Sequence, residues 1–310
     1  MVQEAAKTAT RWGPEEDIAH LTYKLSVING VPHNPQFKEE VIRDLIANFE
    51  TRDDDVFIVT YVKSGTTWTQ QMLHLLLNDG VQGDKSYPES VPWLEAASTD
   101  TMLNNREAKG WSIERINNWD GRRFFKSHAN AEDLPRGKAA GVRIVYVARN
   151  PKDVAVSLHH HARGKPDFGY DGDFGQTLHF FAEGRCENGD WFEHVLEWWR
   201  RAATDPDHIL FLKYEDIVAD APTAIQRIST FLGIPTTPDL VARVIENSSI
   251  DSMKKNANAN VVGHGHLRRG GSGGWRDVFS VRQSERFDAL YRDRMAGSGL
   301  QFDFGEGLIM

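Results

Sequence analysis

The sequence predicts an α/β fold in one domain, with a central, mostly parallel sheet flanked by helices. Short apolar runs rich in β-branched and aromatic residues alternate with amphipathic stretches over most of the 310 residues, as in chains of βαβ units. These runs do not alternate with polar residues, which indicates strands buried on both faces. With 40% hydrophobic residues and nine tryptophans, the chain is long enough to bury a full core.

Four strands are expected where apolar runs are bounded by charged or turn residues: 56–61, 123–126, 142–148 and 208–213. Amphipathic spacing predicts helices over 36–48, 66–77, 151–161, 191–203, 223–232 and 284–295. Residues 1–35 are expected to form an N-terminal extension, and residues 163–175, rich in Gly and Asp, a surface loop. Residues 256–274 contain six glycines mixed with His and Arg. Such a stretch usually forms a lid or a ligand-wrapping loop.

The net charge is −8, from 44 acidic and 36 basic residues. An acidic surface disfavours binding to nucleic acids or anionic membranes, so a bound anion must be held by a local basic cluster. The single cysteine, Cys186, excludes an intrachain disulfide and fits a reducing compartment. The first residues lack the apolar core of a signal peptide, and the apolar stretch at 72–77 is too short to span a bilayer. We therefore expect a soluble, cytoplasmic protein without membrane insertion or a nucleic-acid partner.

The strongest motif is Tyr-Val-Lys-Ser-Gly-Thr-Thr-Trp at residues 61–68, where a predicted strand leads into a predicted helix. Backbone N–H groups at such a helix start, together with the helix dipole, form an anion site. Gly65 permits close backbone approach, Thr66 and Thr67 offer hydroxyl donors, and Lys63 offers a positive charge. In the kinase and ATPase loop the lysine follows the glycines, whereas here it precedes them. The simpler alternative is a capped helix with an incidental lysine.

Two further segments are basic and lie near predicted turns. In residues 143–157 a strand again leads into a helix, and Arg149 lies at the carboxyl end of the strand, where open α/β sheets bind ligands. Ser157 follows two turns later; taken alone, it is an ordinary small helix residue. Residues 267–275 read Leu-Arg-Arg-Gly-Gly-Ser-Gly-Gly-Trp, which suits a flexible anion clamp or, alternatively, a surface linker.

A fourth segment, Phe-Phe-Lys-Ser-His at residues 124–128, places His128 just beyond a strand. A lone histidine in this position is more often structural than catalytic. Only its combination with the other three segments makes it a candidate for catalysis.

Together these segments resemble the cytosolic sulfotransferases, which use 3′-phosphoadenosine 5′-phosphosulfate (PAPS) and release PAP. The family pattern Y-P-K-S-G-T-T-W corresponds to residues 61–68, with Val62 in place of proline, and V-A-R-N-x-K-D-V-A-V-S to residues 147–157. The pattern R-K-G-x-x-G-D-W-K corresponds to residues 268–276, with Gly274 in place of aspartate. The family's K-T-H appears as Lys126, Ser127 and His128, and its Y-E-D as residues 214–216.

The resemblance implies a cofactor site built from several segments, with residues 256–275 as a cofactor-wrapping loop. The 5′-phosphosulfate would be bound by Lys63, Ser64, Gly65, Thr66 and Thr67, with Trp68 beside the adenine. The 3′-phosphate would be bound by Arg149, Ser157, Arg268, Arg269 and Gly270. The adenine would also contact Tyr214, Ser248, Ile250 and Met253, where Ile250 replaces the family's phenylalanine.

Sulfuryl transfer is an in-line displacement in which charge builds on the leaving bridge oxygen. The resemblance implies His128 as the general base, Lys63 beside the leaving phosphate and Lys126 beside the transferring sulfonate. No metal is expected, because the sulfonate carries less charge than a γ-phosphate and the sequence shows no paired-carboxylate motif. The alternatives are a P-loop-like kinase and a non-catalytic nucleotide-binding protein.

The expected acceptor is a small aromatic or apolar alcohol, which would contact Trp93, His161, Phe168 and Tyr170. The alternative for each is an ordinary core position. His159, His160 and His161 are consecutive, and three consecutive helical residues cannot all face one metal ion.

Residues 276–285 resemble the family's short dimer motif, K-x-x-x-T-V-x-x-x-E. They predict a weak homodimer contact at Val281, flanked by Arg276 and Glu285. The alternative is that this segment simply begins the last helix.

Overall fold

The computed structural model describes residue 18 and residues 20–98, 111–135, 139–261, 267 and 270–310. The strands in this part of the chain are β1 (Ser26–Ile28), β2 (Val31–His33), β3 (Val56–Thr60), β4 (Phe124–Ser127), β5 (Arg143–Ala148) and β6 (Ile209–Lys213). The last four form a parallel sheet in the order β4–β3–β5–β6, and β1 and β2 form a separate antiparallel hairpin.

The described helices lie on both faces of the sheet and beyond its edges. They are α1 (Glu39–Asn48), α2 (Thr66–Leu77), α3 (Tyr87–Ser90), α4 (Leu94–Ala97), α5 (Ile113–Asn117), α6 (Pro151–Gly164), α7 (Phe174–Ala182), α8 (Trp191–Thr204), α9 (Tyr214–Ala219), α10 (Ala221–Leu232), α11 (Pro238–Asn247), α12 (Ile250–Lys255) and α13 (Val281–Met295). Short 3-10 turns lie at Pro166–Phe168 and Gly274–Asp277.

The α/β fold with a parallel central sheet is confirmed, and each predicted strand and helix is present with end shifts of a few residues. Helices of four to six residues such as α3 (Tyr87–Ser90) and α9 (Tyr214–Ala219) were not predicted, because they are too short for an amphipathic period. The surface loop predicted over residues 163–175 is wrong in part. Helix α6 continues to Gly164, and the Phe168 side chain of the following turn is fully buried.

The central strand β3 is buried on both faces, and its side chains divide between two apolar cores. Phe57 and Val59 pack in one core, and Val56 and Ile58 pack in the other. This division follows from the two-residue period of a strand. A continuous apolar run is therefore what a parallel strand covered on both sides requires.

A buried ion pair joins the amino ends of the central strands. The guanidinium of Arg123, before β4, donates from Nε to Asp55 Oδ1 (2.7 Å), and Asp55 directly precedes β3. The two side chains are 1% and 0% exposed. Arg123 also donates to the backbone oxygen of Glu50, and Asp55 Oδ2 accepts from the N–H of Arg52. The pair thus fixes the starts of two adjacent strands.

A buried histidine on α8 links two strands near their carboxyl ends. Tyr146 of β5 donates its hydroxyl proton to His194 Nδ1 (2.8 Å), and His194 Nε2–H donates to the backbone oxygen of His128 (3.1 Å). Burial lowers the pKa of His194 to about 4. Both nitrogens are therefore used by the neutral ring, which has one donor and one acceptor.

The carboxyl ends of β3, β4, β5 and β6 lie at one edge of the sheet, because all four strands are parallel. In open α/β sheets this edge is the usual ligand-binding edge. The residues that follow these strands are therefore brought together, although they are up to about 150 positions apart in the sequence.

We expect Asp55→Ala to lower the free energy of unfolding by about 3–5 kcal/mol, because it leaves the Arg123 guanidinium buried without its counter-charge. Chemical denaturation measures the change. Arg43→Ala is the control, because the Arg43–Glu39 pair is 56% and 49% exposed and should contribute less than about 1 kcal/mol. Equal effects of the two substitutions would contradict the structural role of the buried pair.

We also expect the free energy of unfolding to fall as the pH is lowered from 6.5 to 4. The folded-state pKa of His194, about 4, lies below the ordinary value of 6.5, so the unfolded chain binds more protons in this window and stability rises with pH. The shift corresponds to at most about 3 kcal/mol. His194→Gln should flatten the pH dependence measured by denaturation between these limits. The same slope in wild type and variant would contradict the assignment.

Candidate active site

A cavity of about 830 Å³ opens at the carboxyl edge of the sheet. Its wall contains residues that follow each of the four parallel strands, including Lys63, His128, Arg149 and Tyr214. Two ends of the cavity are distinguished below. The histidine end is formed by Trp93, Lys126, His128, His161 and Glu187, and the arginine end by Trp68, Arg149, Tyr214 and Ile250.

The loop between β3 and α2 is a tight turn that brings its backbone to the cavity. Gly65 has φ 104°, and a Cβ at this position would lie 2.6 Å from Tyr214 Cδ2. A side chain here would therefore both strain the backbone and collide with the tyrosine ring. Lys63 also has a positive φ, 67°, which is unusual for a residue other than glycine and is a type of strain often found at functional sites.

Helix α2 starts at this turn without a side-chain cap or an acidic residue in its first turn, as far as the described residues go. The N-terminal N–H groups of a helix need acceptors, and its dipole favours a negative charge there. Ser64 is fully buried, and its hydroxyl has no hydrogen-bond partner among the described residues. The turn is therefore built to receive an anion that supplies acceptor atoms.

At the arginine end, the guanidinium of Arg149 lies over the ring of Tyr214, 4.4 Å from its centroid. Its Nη2 donates to the backbone oxygen of Gly271 (2.9 Å), whereas its buried Nε has no hydrogen-bond partner in the described chain. Trp68 meets Tyr214 edge to face at 5.3 Å. Two aromatic rings and a partly unsatisfied arginine suit a ligand that has both a flat ring and an anionic group.

Asp153 in the first turn of α6 holds the glycine-rich loop at this end. Its carboxylate accepts from the N–H groups of Gly273 (2.8 Å) and Trp275 (3.0 Å), and Asn150 caps the same helix by accepting from the N–H of Asp153. These bonds bring the described part of the loop, residues 270–275, against the cavity. Gly270 approaches Ile250 there, with an added Cβ 3.5 Å from that side chain.

At the histidine end, one hydrogen bond decides the form of the His128 ring. Nδ1 lies 2.9 Å from the backbone oxygen of Thr60. A carbonyl oxygen can only accept, so Nδ1 carries the proton and the neutral ring has its lone pair on Nε2. The Thr60 hydroxyl lies 3.2 Å from the same Nδ1 and 2.6 Å from the hydroxyl of Thr66 at the start of α2. His128 is therefore connected to the turn after β3.

Trp93 and Lys126 complete this wall. Residue 93 forms a parallel bridge with residue 126, which places the Lys126 ammonium over the Trp93 ring at 4.1 Å from the centroid. The same ring meets His128 edge to face at 5.5 Å. A cation, an imidazole and an apolar surface thus lie side by side.

Behind His128, polar side chains fix its backbone. Asn188 Nδ2 and His194 Nε2 both donate to the His128 oxygen, each at 3.1 Å. The His128 N–H donates to Glu95 Oε1 (3.3 Å), which also accepts from the Ser127 hydroxyl. Burial raises the pKa of Glu95, although these donors oppose the shift. The position of His128 therefore depends on several strands and helices.

His161 on α6 donates from Nε2 to Glu187 Oε2 at 3.0 Å. Burial, together with the nearby charge of Lys63, lowers the pKa of His161 to about 4. Burial acts to raise the pKa of Glu187, but the hydrogen bond from His161 and the charge of Lys165 outweigh it and lower the pKa to about 2. The pair is thus a neutral imidazole that donates to a carboxylate at neutral pH.

Most residues predicted for the site line the cavity. These are Lys63, Gly65, Thr66, Thr67, Trp68, Trp93, Lys126, His128, Arg149, Ser157, His161, Tyr214, Ser248, Ile250, Met253 and Gly270. Ser64 is buried in the turn rather than on the cavity wall. Arg268 and Arg269 lie outside the described residues.

Phe168 and Tyr170, predicted to contact the acceptor, are absent from the described cavity lining. Both are buried in a cluster with Tyr23, whose ring lies 5.7 Å from that of Phe168 and 4.9 Å from that of Tyr170. Phe168 also lies 5.6 Å from the ring of His161. Their structural position is therefore behind the histidine wall.

The described residues contain no group of three or more His, Cys, Asp or Glu side chains that could hold a metal ion. His159 instead bonds through Nδ1 to the Thr177 hydroxyl at 2.8 Å. Among the same residues, no helix combines the length and the apolar character needed to cross a bilayer.

Thr60, Glu187, Asn188 and His194 were not predicted as site residues. Nothing in their local sequence marks them, because their roles arise from contacts between segments far apart in the chain. Asp153 was recognised only as favourable for a helix start, although its spacing of four from Arg149 was a usable sign that the two side chains are neighbours.

A family model of the sulfotransferase domain matches residues 53–299. The chain is 33% identical over 292 residues to sulfotransferase 1A1 of Canis lupus familiaris, covering 90% of this chain and 95% of that protein. It is 34% identical over 258 residues to sulfotransferase 2B1 of Mus musculus, covering 79% and 72% respectively.

Solved structures give the same result. Mouse sulfotransferase SULT7A1 complexed with PAP matches with a TM-score of 0.73 and 28% identity, covering 89% of this chain and 96% of that one. Retinol dehydratase in a complex with retinol and PAP matches with a TM-score of 0.73 and 26% identity, covering 86% and 89%. The expected family, and with it the expectation of an enzyme, is confirmed: this chain belongs to the sulfotransferase family.

Proposed function

We propose that this sulfotransferase transfers the sulfuryl group of PAPS to a hydroxyl of a small aromatic or apolar alcohol, with His128 as the general base. PAPS is its cosubstrate, as the family and the PAP complexes of its structural relatives support. The observation that carries the choice of base is the hydrogen bond from His128 Nδ1 to the Thr60 oxygen. It leaves the lone pair on Nε2, in a ring that lines the cavity.

The residues present fit the chemistry of PAPS, which has anionic groups at both ends of its ribose and a flat adenine. The buried hydroxyl of Ser64 and the buried Nε of Arg149 have no hydrogen-bond partners in the described structure. Such groups are costly unless a ligand satisfies them. At Gly65 a Cβ would meet Tyr214 at 2.6 Å, so this glycine is needed for a turn that can surround a phosphate.

The assignment of each part of PAPS follows from the two ends of the cavity. The turn at Lys63–Thr67 would hold the 5′-phosphosulfate through N–H groups, hydroxyls and the lysine. Arg149, Ser157 and Gly270 would bind the 3′-phosphate, with Arg268 and Arg269 as further predicted ligands. Trp68, Tyr214, Ser248, Ile250 and Met253 would surround the adenine. The predicted cofactor-wrapping role of residues 256–275 is supported by the bonds from Asp153 to Gly273 and Trp275.

When bound, PAPS supplies the sulfuryl group and a leaving phosphate. His128 Nε2 takes the proton of the acceptor hydroxyl, and a base of this type with a pKa near neutrality suits the reaction. Lys63 presents positive charge to the developing charge on the leaving group, and Lys126 presents it to the sulfonate oxygens. No side chain of the proposed mechanism requires a metal ion.

For the acceptor we retain Trp93 and His161 as contact residues, because both line the cavity beside His128. Phe168 and Tyr170 stay predictions, and their position favours an indirect role in supporting His161. A kinase is disfavoured by the family match. A non-catalytic nucleotide-binding protein is disfavoured by the presence of Lys126 and His128 together in the cavity wall.

A single domain over residues 1–310, a cytoplasmic location and a weak homodimer remain proposals. For the dimer, Val281 is 76% exposed at the start of α13, which suits an apolar contact. Glu285 is also exposed. Arg276, however, donates to the backbone oxygens of Phe304 and Gly305 within the same chain, so the proposed contact would depend chiefly on Val281 and Glu285.

We expect PAP to raise the melting temperature much more than ATP, because Arg149 and Ser157 would recognise the 3′-phosphate that ATP lacks. At about 100 times its dissociation constant, a ligand adds about 2.7 kcal/mol to the free energy of unfolding. Differential scanning fluorimetry measures the shift, and Arg149→Met should narrow the difference between the two nucleotides. Equal stabilisation by ATP, or none by PAP, would contradict the cofactor assignment.

We expect His128→Ala to bind PAP nearly as well as wild type while losing about 10²–10⁴-fold in turnover, the usual contribution of a positioned base. Lys63→Ala should lower both PAP affinity and turnover, because the lysine touches the phosphosulfate before and during reaction. Calorimetry and sulfation rates on folded protein give both quantities. If His128→Ala retains more than about a tenth of wild-type turnover, His128 is not the base.

A further inference from the structure

We propose that Glu187 makes the histidine end of the cavity a selective site for acceptors that carry a protonated amine in addition to the hydroxyl that is sulfated. The inference rests on the proposed function, because it concerns the acceptor of that reaction. It names a substrate class through a carboxylate that lines the same cavity as the proposed base.

The position of Glu187 relative to His128 is fixed by its chain neighbours. Asn188 donates from Nδ2 to the His128 oxygen at 3.1 Å. Gly189 accepts from the Tyr61 hydroxyl at 2.9 Å, just after β3. Asn188 has φ 67°, a conformation that asparagine tolerates better than most residues. A pinned turn of this kind holds the Glu187 side chain beside the base rather than leaving it on a mobile loop.

Glu187 is 3% exposed, yet its carboxylate has unused capacity for hydrogen bonds. Oε2 accepts from His161 at 3.0 Å, and Oε1 accepts from Asn34 Nδ2 at 3.4 Å, which is long for a hydrogen bond. An ionised carboxylate can accept about four hydrogen bonds. A buried carboxylate that faces a cavity with vacant acceptor sites favours a ligand with N–H or O–H donors.

The charge of Glu187 persists at neutral pH and is not cancelled by its nearest partner. His161 stays neutral because burial lowers its pKa to about 4. It therefore donates a proton without supplying a positive charge. No lysine or arginine of the described residues forms an ion pair with Glu187; its salt-bridge partner there is His161. Lys165 is near enough only to lower the pKa of the carboxyl.

The other charges in the cavity wall have other roles. Among the described lining residues, Asp153 is the second carboxylate, and it is bonded to the N–H groups of Gly273 and Trp275. Lys63, Lys126 and Arg149 would face the anionic groups of PAPS. Glu187 is thus the negative charge that remains at the histidine end, where a cation is favoured and an anionic acceptor is repelled.

A purely structural role for Glu187 is the competing explanation. In that role the carboxylate would only orient His161, and every acceptor would depend on it equally. A buried ion needs full hydrogen bonding to be tolerated, and the long bond to Asn34 does not complete this requirement. An ammonium group of the acceptor would complete it, so the dependence on Glu187 should differ between acceptors with and without an amine.

The test uses 4-alkylphenols with one to three side-chain carbons, each with a terminal amine, a terminal methyl group or a terminal carboxylate. The three lengths cover different spacings between the phenol oxygen and the charge. Affinity is measured by calorimetry on wild type in the presence of PAP, and kcat and KM are measured with PAPS. For at least one length, we expect the amine to bind about 10- to 100-fold more tightly than its neutral partner, as one charge-assisted hydrogen bond predicts. The carboxylate should bind most weakly.

Glu187→Gln keeps the size of the side chain but removes its charge. It should raise the KM of the amine by about 10- to 100-fold with little change in kcat, because the interaction is made equally in the bound and the transition states. The KM of the neutral phenol should change less than about 3-fold. Equal losses for both phenols, or no amine preference in wild type at any length, would overturn the proposal.

Two controls separate this inference from the proposed function. If the variant does not fold, the wild-type affinities for the amine and neutral phenols decide the question alone. Sulfation of the neutral phenol by wild type tests the proposed function itself. If that reaction is absent, the hydroxyl-sulfating function is contradicted, while equilibrium binding with PAP still supports or overturns the amine site.

Discussion

The hydrogen bond between His128 Nδ1 and the Thr60 oxygen is the contact on which the active site depends. It crosses from the residue after β4 to the last residue of β3, and the Thr60 hydroxyl extends it to Thr66 at the start of α2. One short network therefore fixes the ring orientation of the base and its position relative to the anion-binding turn. The parallel register of β3 and β4 makes this contact possible, because it brings both carboxyl ends to the same edge.

A second network organises the opposite end of the cavity around Asp153. This carboxylate holds the loop at Gly273 and Trp275, while Asn150, which caps the same helix, also donates to Glu215 after β6. Burial raises the pKa of Glu215 to about 7. Arg149 lies among these groups, so its guanidinium is oriented by a packed polar environment and by the Tyr214 ring. The cofactor end is thus positioned largely by side chains that need not touch the cofactor.

The charges in the cavity are arranged against a chain whose net charge is −8. Lysines and an arginine face the proposed PAPS groups, while the neutral His161 and the ionised Glu187 form the wall beside the base. Because burial weakens screening, these few charges determine which ligands are admitted more strongly than the overall charge does. Donor recognition and acceptor selection therefore use opposite charges within one cavity.

The sequence by itself determined the fold class, the main strands and helices, and the residues of the anion-binding turn. These features are local: an apolar run predicts a buried strand, and a strand–glycine–helix segment predicts an anion site wherever it occurs. The tertiary structure alone decided that Phe168 and Tyr170 lie behind the cavity wall, and that Thr60, Asp153, Glu187 and His194 support the site. Their roles arise from contacts between side chains 34 to 122 positions apart, and no local pattern encodes such contacts, because only packing of the sheet edge brings those segments together.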